Sequence, residues 1–312
     1  MTRRVVILAY KGAQILDITG PAAVLAEANH LLPAPGYGVI LASAAGGMIR
    51  TGGGIAVETV KAEHIVAGDI DTAIIPGADA NSLADALRDR QLAAAIRSLA
   101  GARRVASVCT GAFLLAQNGL LSGRNATTHW EAGEELLRRF PDVMVDSDAL
   151  FIVDGPVWTS AGVSTGIDMT LAMVENDHDR ALAARVARRL VLQMRRDGNQ
   201  SQFSETLAAQ GGEFADLITW MQDNLGEDLS VGQLARRTAL SERTFYRRFS
   251  QATGHRPATF VRRLRVERAR ALLEAGVPSK KVASQSGFGS VDLLRRAYRA
   301  IFARDLPRPG AD

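Results

Sequence analysis

Short apolar runs alternate with stretches of helical period over the first two thirds of the chain. Residues 5–10 form a β-branched and apolar run of the kind buried on both faces of a parallel sheet, and after a turn a helical pattern runs over 21–32. The alternation predicts strands over 39–44, 72–76 and 105–109, with one or two helices over 82–100. Residues 149–153 and 156–161 flank the turn Asp154-Gly155 and read as a β-hairpin; two further helices are predicted near 167–175 and 178–195. Apolar strands alternating with helices imply a flavodoxin-like α/β fold, a mostly parallel sheet with helices on both faces.

Beyond residue 213 the pattern is helical only. Phe214, Leu217, Ile218 and Met221 mark a first helix over about 213–225, closed by Gly226. Ser230 is placed to cap a helix carrying Val231, Leu234 and Ala235, and after Thr238-Ala239-Leu240 a second cap, Ser241, starts a helix over 242–251. Two short helices about a tight turn make a helix-turn-helix unit. In its second helix Phe245 and Phe249 form the inward stripe, leaving Arg243, Tyr246, Arg247 and Arg248 outward, with Thr244 beside them. A long helix over 257–274 follows, with Phe260, Val261, Leu264, Ala271 and Leu272 expected inward. The pattern then repeats. Pro278-Ser279 opens a helix with Val282 and Ala283, Ser286-Gly287-Phe288-Gly289 turns, and Ser290 caps 291–302, with Leu294 and Tyr298 inward and Asp292, Arg295, Arg296 and Arg299 outward. Ser241 and Ser290 lie 49 residues apart, so two recognition helices in one subunit can enter adjacent major grooves about 34 Å apart. The polar, glycine-containing stretch before residue 213 reads as a linker, giving domains 1–197 and 213–312 joined by 198–212.

Length and charge sharpen this division. A chain of 312 residues suggests two domains, and 47% hydrophobic content excludes a disordered protein. The net charge of +4 conceals a split: from residue 229 onward 16 Arg and 2 Lys face 6 acids, a net of +12, against −8 for residues 1–228. That asymmetry points to a polyanion partner for the C-terminal part. The single Cys109 excludes an internal disulfide, the start Met1-Thr2-Arg3-Arg4 lacks a signal-peptide core, and no apolar run approaches the roughly 18 residues of a membrane span; a cytoplasmic location is expected. Gly52-Gly53-Gly54 is not followed by Gly-Lys-Ser/Thr and reads as a turn rather than a phosphate loop, so neither a cofactor nor a metal is expected.

Candidate chemistry gathers at carboxyl ends of strands, where open α/β sheets bind ligands. Cys109 ends an apolar strand and a helix begins at once, which presents the thiol beside the free N–H groups of a helix start; Gly111 allows close packing and the local field favours thiolate. Asp17, after the first strand, and Gly77, after Ile74-Ile75-Pro76, occupy similar edges. A carboxylate beside a thiolate instead raises the thiol's pKa unless one of the two is protonated. Cys109 is therefore open to several readings: a pocket wall, a sensing thiol, a nucleophile with Asp17 as base, or a buried cysteine. Trp130 and Trp158 read as core or pocket wall.

Leu16-Asp17-Ile18-Thr19-Gly20-Pro21, Ile75-Pro76-Gly77, Cys109-Thr110-Gly111-Ala112-Phe113, Ala126-Thr127-Thr128-His129-Trp130 and the run from Trp158 to Asp168 resemble the ThiJ/PfpI superfamily, whose fold is like that of class I glutamine amidotransferases, and in particular its regulator and isocyanide-hydratase branches. The resemblance implies that Cys109 is the elbow cysteine, Asp17 the acid facing it and His129 a pocket residue, with N–H groups near Gly77 and Thr110 forming an oxyanion-like nest. Ala78 departs from the family, which commonly repeats glycine there. Residues 229–302 resemble the AraC/XylS family of paired helix-turn-helix domains, and Gln200-Ser201-Gln202-Phe203 resembles the junction between the two. By that resemblance Arg243, Tyr246 and Arg247 read bases from the first unit and Asp292, Arg295 and Arg296 from the second, Asp292 accepting from a cytosine amine. Ala303 departs where the family commonly has glycine.

The expected protein is a transcription regulator that binds double-stranded DNA and senses a small-molecule effector through Asp17, Gly77, Ala78, Cys109, Thr110 and His129. A homodimer through the N-terminal domain and contact with RNA polymerase are implied by the resemblance. The alternative is an enzyme, a cysteine-dependent hydrolase or isocyanide hydratase using Cys109 and Asp17, for which a +12 domain with two capped helix pairs has no purpose.

Overall fold

The computed structural model describes residues 2–192, 213–274, 276–302 and 306, and the chain divides into two compact units, Met1–Gln200 and Ser201–Asp312. The expected linker at 198–212, the junction motif and Ala303 lie outside the described residues.

In the first unit, β1 (Arg3–Leu8), β2 (Tyr37–Ser43), β5 (Ile70–Ile75), β6 (Arg104–Val108) and β10 (Val157–Ser160) are parallel, and β1, β5, β6 and β10 are almost wholly buried. These are the apolar runs that the sequence predicts, because a strand covered on both faces carries no polar alternation. The eight-stranded sheet runs β3-β4-β2-β1-β5-β6-β10-β9, with β3 (Gly47–Arg50) antiparallel to β4 (Ala56–Lys61) at one edge and β9 (Phe151–Asp154) antiparallel to β10 at the other. The expected Asp154-Gly155 hairpin is therefore present, whereas β3 and β4 are additional; Gly52-Gly53-Gly54 lies in the turn joining them. A separate pair, β7 (Asn125–Ala126) and β8 (Met144–Val145), flanks α5 (Gly133–Arg139).

Helix α1 (Ile15–Leu31) packs with α6 (Thr165–Asp177) and α7 (Arg180–Arg189), while α2 (Ala80–Arg88), followed by α3 (Arg90–Ser98), packs on α4 (Gly111–Gln117). Helix α1 starts six residues before the predicted Pro21. Gln14 caps it through Leu16 N–H, and the buried Asp17, Ile18, Gly20, Pro21 and Val24 hold it against the core, so Pro21 lies within the helix. At the amino ends of the strands a buried network ties the sheet together: Arg104 meets Asp177 at 2.5 Å, Arg103 bridges Asp71 and Asp177 at 2.8 and 2.7 Å, and Tyr37 donates to Asp177 at 3.1 Å.

The second unit comprises α8 (Ala215–Asp223), α9 (Val231–Arg237), α10 (Glu242–Thr253), α11 (Pro257–Glu274), α12 (Ser279–Gln285) and α13 (Val291–Phe302). It has two small cores. Phe214, Ile218, Met221, Leu234, Phe245 and Phe249 close the first with Phe260 and Val261 of α11. Val282, Leu294 and Tyr298 close the second with Val266, Ala269 and Leu273, further along the same helix. The sequence period placed Ala271 inward, but it is only partly buried; α11 serves cores on two sides, so its buried stripe shifts along its length. Arg265 joins the two cores, donating to the Leu225 carbonyl at 3.0 Å and the Glu227 carbonyl at 2.9 Å. Gly287, at φ +73, packs against that junction; a Cβ there would strike the Leu225 carbonyl and lie 2.6 Å from Arg265 Nε.

Candidate functional site

Cys109 has φ +55, a left-handed conformation that L-residues other than glycine seldom adopt. It is clamped from both sides. Its N–H donates to the Ser160 carbonyl at 2.9 Å and its carbonyl accepts from the Thr128 hydroxyl at 3.0 Å. A Cβ on Gly77 would lie 2.6 Å from Thr110 N, and one on Gly111 would strike the Ile75 carbonyl, so both glycines are needed for the strand ends to meet this turn. The expected strained elbow is therefore present, and Thr128 and Ser160, not singled out from the sequence, are what fix it.

Asp17 sits in the first turn of α1, fully buried, with Oδ2 accepting the Gly77 N–H at 2.9 Å and Oδ1 without a hydrogen-bond partner among the described residues. Burial pushes its carboxyl up to about 7, opposed only by the Gly77 bond. Burial and the neighbouring Asp17 push the Cys109 thiol up to about 12, against hydrogen bonds from Thr110. Desolvation thus outweighs the helix-start field, and the thiolate favoured on sequence grounds gives way to a thiol. Of the expected oxyanion nest, the Thr110 N–H faces the Cys109 sulfur, but the N–H groups on the Gly77 side are engaged. The Gly77 N–H is used by Asp17, and the Ala78 N–H donates to Thr110 Oγ1 at 2.9 Å, whose hydroxyl in turn donates to the Ala78 carbonyl at 2.8 Å.

Above the elbow lies a pocket of about 490 Å3, within the range of small-molecule sites. Ala78, Cys109, Thr110 and His129 line it, whereas Asp17 and Gly77 are outside its wall. Leu83, Leu87, Phe113 and Val163 are its larger apolar lining side chains, and Asp79, Glu131, Glu135 and Arg139 its charged groups. These last eight were not singled out as site residues; α2, α4 and α5, with the segments that lead into α2, α5 and α6, bring them together from places distant in sequence. His129 Nδ1 accepts the Glu131 N–H at 3.4 Å. Trp158 is core, but Trp130 is 48% exposed, contrary to expectation, because it lies in the solvent-facing turn before α5.

In the second unit Ser241 accepts the Thr244 N–H at 3.3 Å and Ser290 the Leu293 N–H at 3.2 Å, so both predicted recognition helices are capped as expected. Ser230 differs: its hydroxyl donates to Asp228 at 3.2 Å rather than capping α9. Phe245, Phe249, Leu294 and Tyr298 are fully buried, and Arg243, Tyr246, Arg247, Asp292, Arg295, Arg296 and Arg299 are exposed. Outward charges are engaged locally, Arg248 with Glu213 and Asp292 with Arg295, each at 2.7 Å. Ala239 in the first turn and Gly287 in the second take left-handed φ of +54 and +73; the second turn has one more residue before its capping serine.

The DJ-1/PfpI family matches residues 3–176, more than half of the chain, and a helix-turn-helix domain matches 234–305. The chain belongs to the DJ-1/PfpI family. This family member is 33% identical over 198 residues to the HTH-type transcriptional regulator CdhR of Pseudomonas aeruginosa, covering 62% of this chain and 59% of that one. It is 25% identical over 292 residues to the HTH-type transcriptional regulator GlxA of Rhizobium meliloti, covering 90% and 87%. Isonitrile hydratase of Pseudomonas putida matches over 107 residues at 36% identity, 34% of this chain and 45% of that enzyme. Matches to the first curated relatives span less than two thirds of their length. A THiJ/PfpI family protein from Pseudomonas syringae shares the fold of the first unit, with a TM-score of 0.54 at 24% identity over 60% of this chain and 74% of that structure. Among the described residues no helix is long and apolar enough to cross a membrane.

Proposed function

We propose that this DJ-1/PfpI-family chain is a sequence-specific DNA-binding transcription regulator whose α/β unit takes a small metabolite in the Cys109 pocket. The observation that carries the reading is the pair of serine-capped helices, α10 and α13, each buried on one face by aromatic or apolar residues and presenting arginines on the other. Arg243 and Arg247 of α10 and Arg296 of α13 have the charge and planar geometry to read guanine in a major groove. The names of CdhR and GlxA support the same reading. Control by a metabolite requires that it bind two conformational states of the protein unequally. A dimer through the α/β unit and a contact with RNA polymerase complete the reading. Arg247→Ala should weaken binding of the full chain to its own promoter by about 1–3 kcal/mol in a titration at fixed salt; unchanged affinity would remove Arg247 from the interface.

The isonitrile hydratase match favours a second reading, an enzyme using Cys109. The protonated thiol and the occupied Gly77 and Ala78 N–H groups weigh against it. Cys109→Ala separates the two: a turnover lost while DNA binding persists supports the enzyme, and ligand-dependent transcription that survives the substitution excludes an obligatory thiol.

A further inference from the structure

The two recognition helices do not present the same chemistry. On α10, Thr244 and Arg247 lie three residues apart on the outward side, and the Thr244 hydroxyl is held by Ser241 Oγ at 2.9 Å. On α13 the corresponding pair is Leu293 and Arg296. Leu293 is 46% exposed, beside the buried stripe of Leu294, Ala297 and Tyr298, and its N–H is fixed by the Ser290 cap at 3.2 Å. A single exposed leucine is ordinary on most surfaces. This one stands in the first turn of a helix that follows a helix-turn-helix corner, the part of such helices that meets base edges. Asp292 Oδ1 accepts from Arg295 at 2.7 Å, so these two charges pair with one another, and Leu293 and Arg296 are the adjacent outward pair beside them.

We infer that Leu293 is a specificity-determining residue that reads the 5-methyl group of a thymine, next to a guanine read by Arg296, so that α13 selects a T beside a G while α10 reads through its arginines. Thymine is the one base with a methyl group in the major groove, and an apolar side chain of this reach distinguishes it from cytosine by that group. The inference rests on the proposed DNA-binding function, and Asp292 becomes a positioning residue for Arg295.

The test uses the full chain with a random-sequence duplex library to obtain a bound site, followed by affinity titrations on duplexes in which each thymine in turn is replaced by deoxyuridine, which lacks only the methyl. One thymine in the half-site contacted by α13 should weaken binding about fourfold when demethylated, the equivalent of one buried methyl group. Leu293→Ala should bind the thymine and deoxyuridine duplexes equally, and Arg296→Ala should lose the neighbouring guanine preference. If every deoxyuridine duplex binds like the parent, or if Leu293→Ala keeps the methyl dependence, the inference falls while DNA recognition stands. Altered self-association of Leu293→Ala with unchanged methyl dependence makes Leu293 a protein contact and also overturns it. Failure of the full chain to enrich any sequence refutes the function itself.

Discussion

Cys109 and Asp17 are two buried acids against one another, and their order of titration follows from burial. Between the ordinary carboxyl value of 3.8 and the folded value of about 7, folded Asp17 keeps a proton that the unfolded chain has released. Its contribution to stability is therefore full below pH 3.8 and is lost as pH rises through about 7. Urea unfolding of the full chain at pH 5 and pH 8 should show this as a loss of about 3 kcal/mol that Asp17→Asn does not suffer; an equal loss in the variant would place the titration elsewhere. The chain's only cysteine gives a clean second readout. With its thiol pushed up to about 12, Cys109 should alkylate with iodoacetamide at pH 8 on the order of a thousandfold slower than free cysteine. Reaction at the free-cysteine rate would mean a thiolate. Charge inside the sheet behaves differently. Asp177 is almost fully buried with Arg104, so Asp177→Ala leaves a buried guanidinium short of a partner and should destabilise the first unit by about 3–5 kcal/mol in chemical denaturation. The sequence made the elbow legible because an apolar strand ends at a cysteine followed by a helix. It did not disclose the occupied N–H groups, since these depend on where α1 and the segment after β5 meet in space.

At the scale of elements, strands buried on both faces and capped helices were the readable features, and exposed edges were not. β3 and β4 escaped prediction because Met48 and Val60 face solvent and break the alternation that marks a half-buried strand. Gly20-Pro21 read as a helix start, but contacts with the core carry α1 through it. In the second unit, the two turns differ in cost. Ala239 holds a left-handed φ without being glycine, so Ala239→Gly should stabilise the protein by about 1 kcal/mol, visible as a raised midpoint in urea. Gly287→Ala adds both that strain and a clash with the Leu225 carbonyl, and should cost about 2–4 kcal/mol. Because Gly287 lies at the Arg265 junction between the two cores, the same variant should bind DNA less well than its remaining stability accounts for.

At the scale of the whole molecule, one fact organises the rest: a net of −8 over residues 1–228 against +12 beyond. Residues 201–228 hold 6 acids and no Lys or Arg, so most of the acidic excess lies next to the basic stretch rather than in the α/β unit; the arginines beyond residue 228 are the groups that would meet phosphates, and DNA affinity should fall steeply with salt, by a slope of about 0.9 for each phosphate contacted. The basic excess beyond residue 228 was visible in composition before any element was placed, as was leucine at 293 where α10 has Thr244, whereas the exposure of Leu293 and the pairing of Asp292 with Arg295 emerged only from the structure. The most direct measurement is selection of bound duplexes from a random library by the full chain near physiological salt. Two sequence blocks about 10–10.5 base pairs apart centre to centre are expected, one losing its guanine preference in Arg247→Ala and the other in Arg296→Ala. Enrichment of no sequence, or a motif unchanged by both substitutions, would contradict the assignment of α10 and α13 as a paired DNA-reading surface.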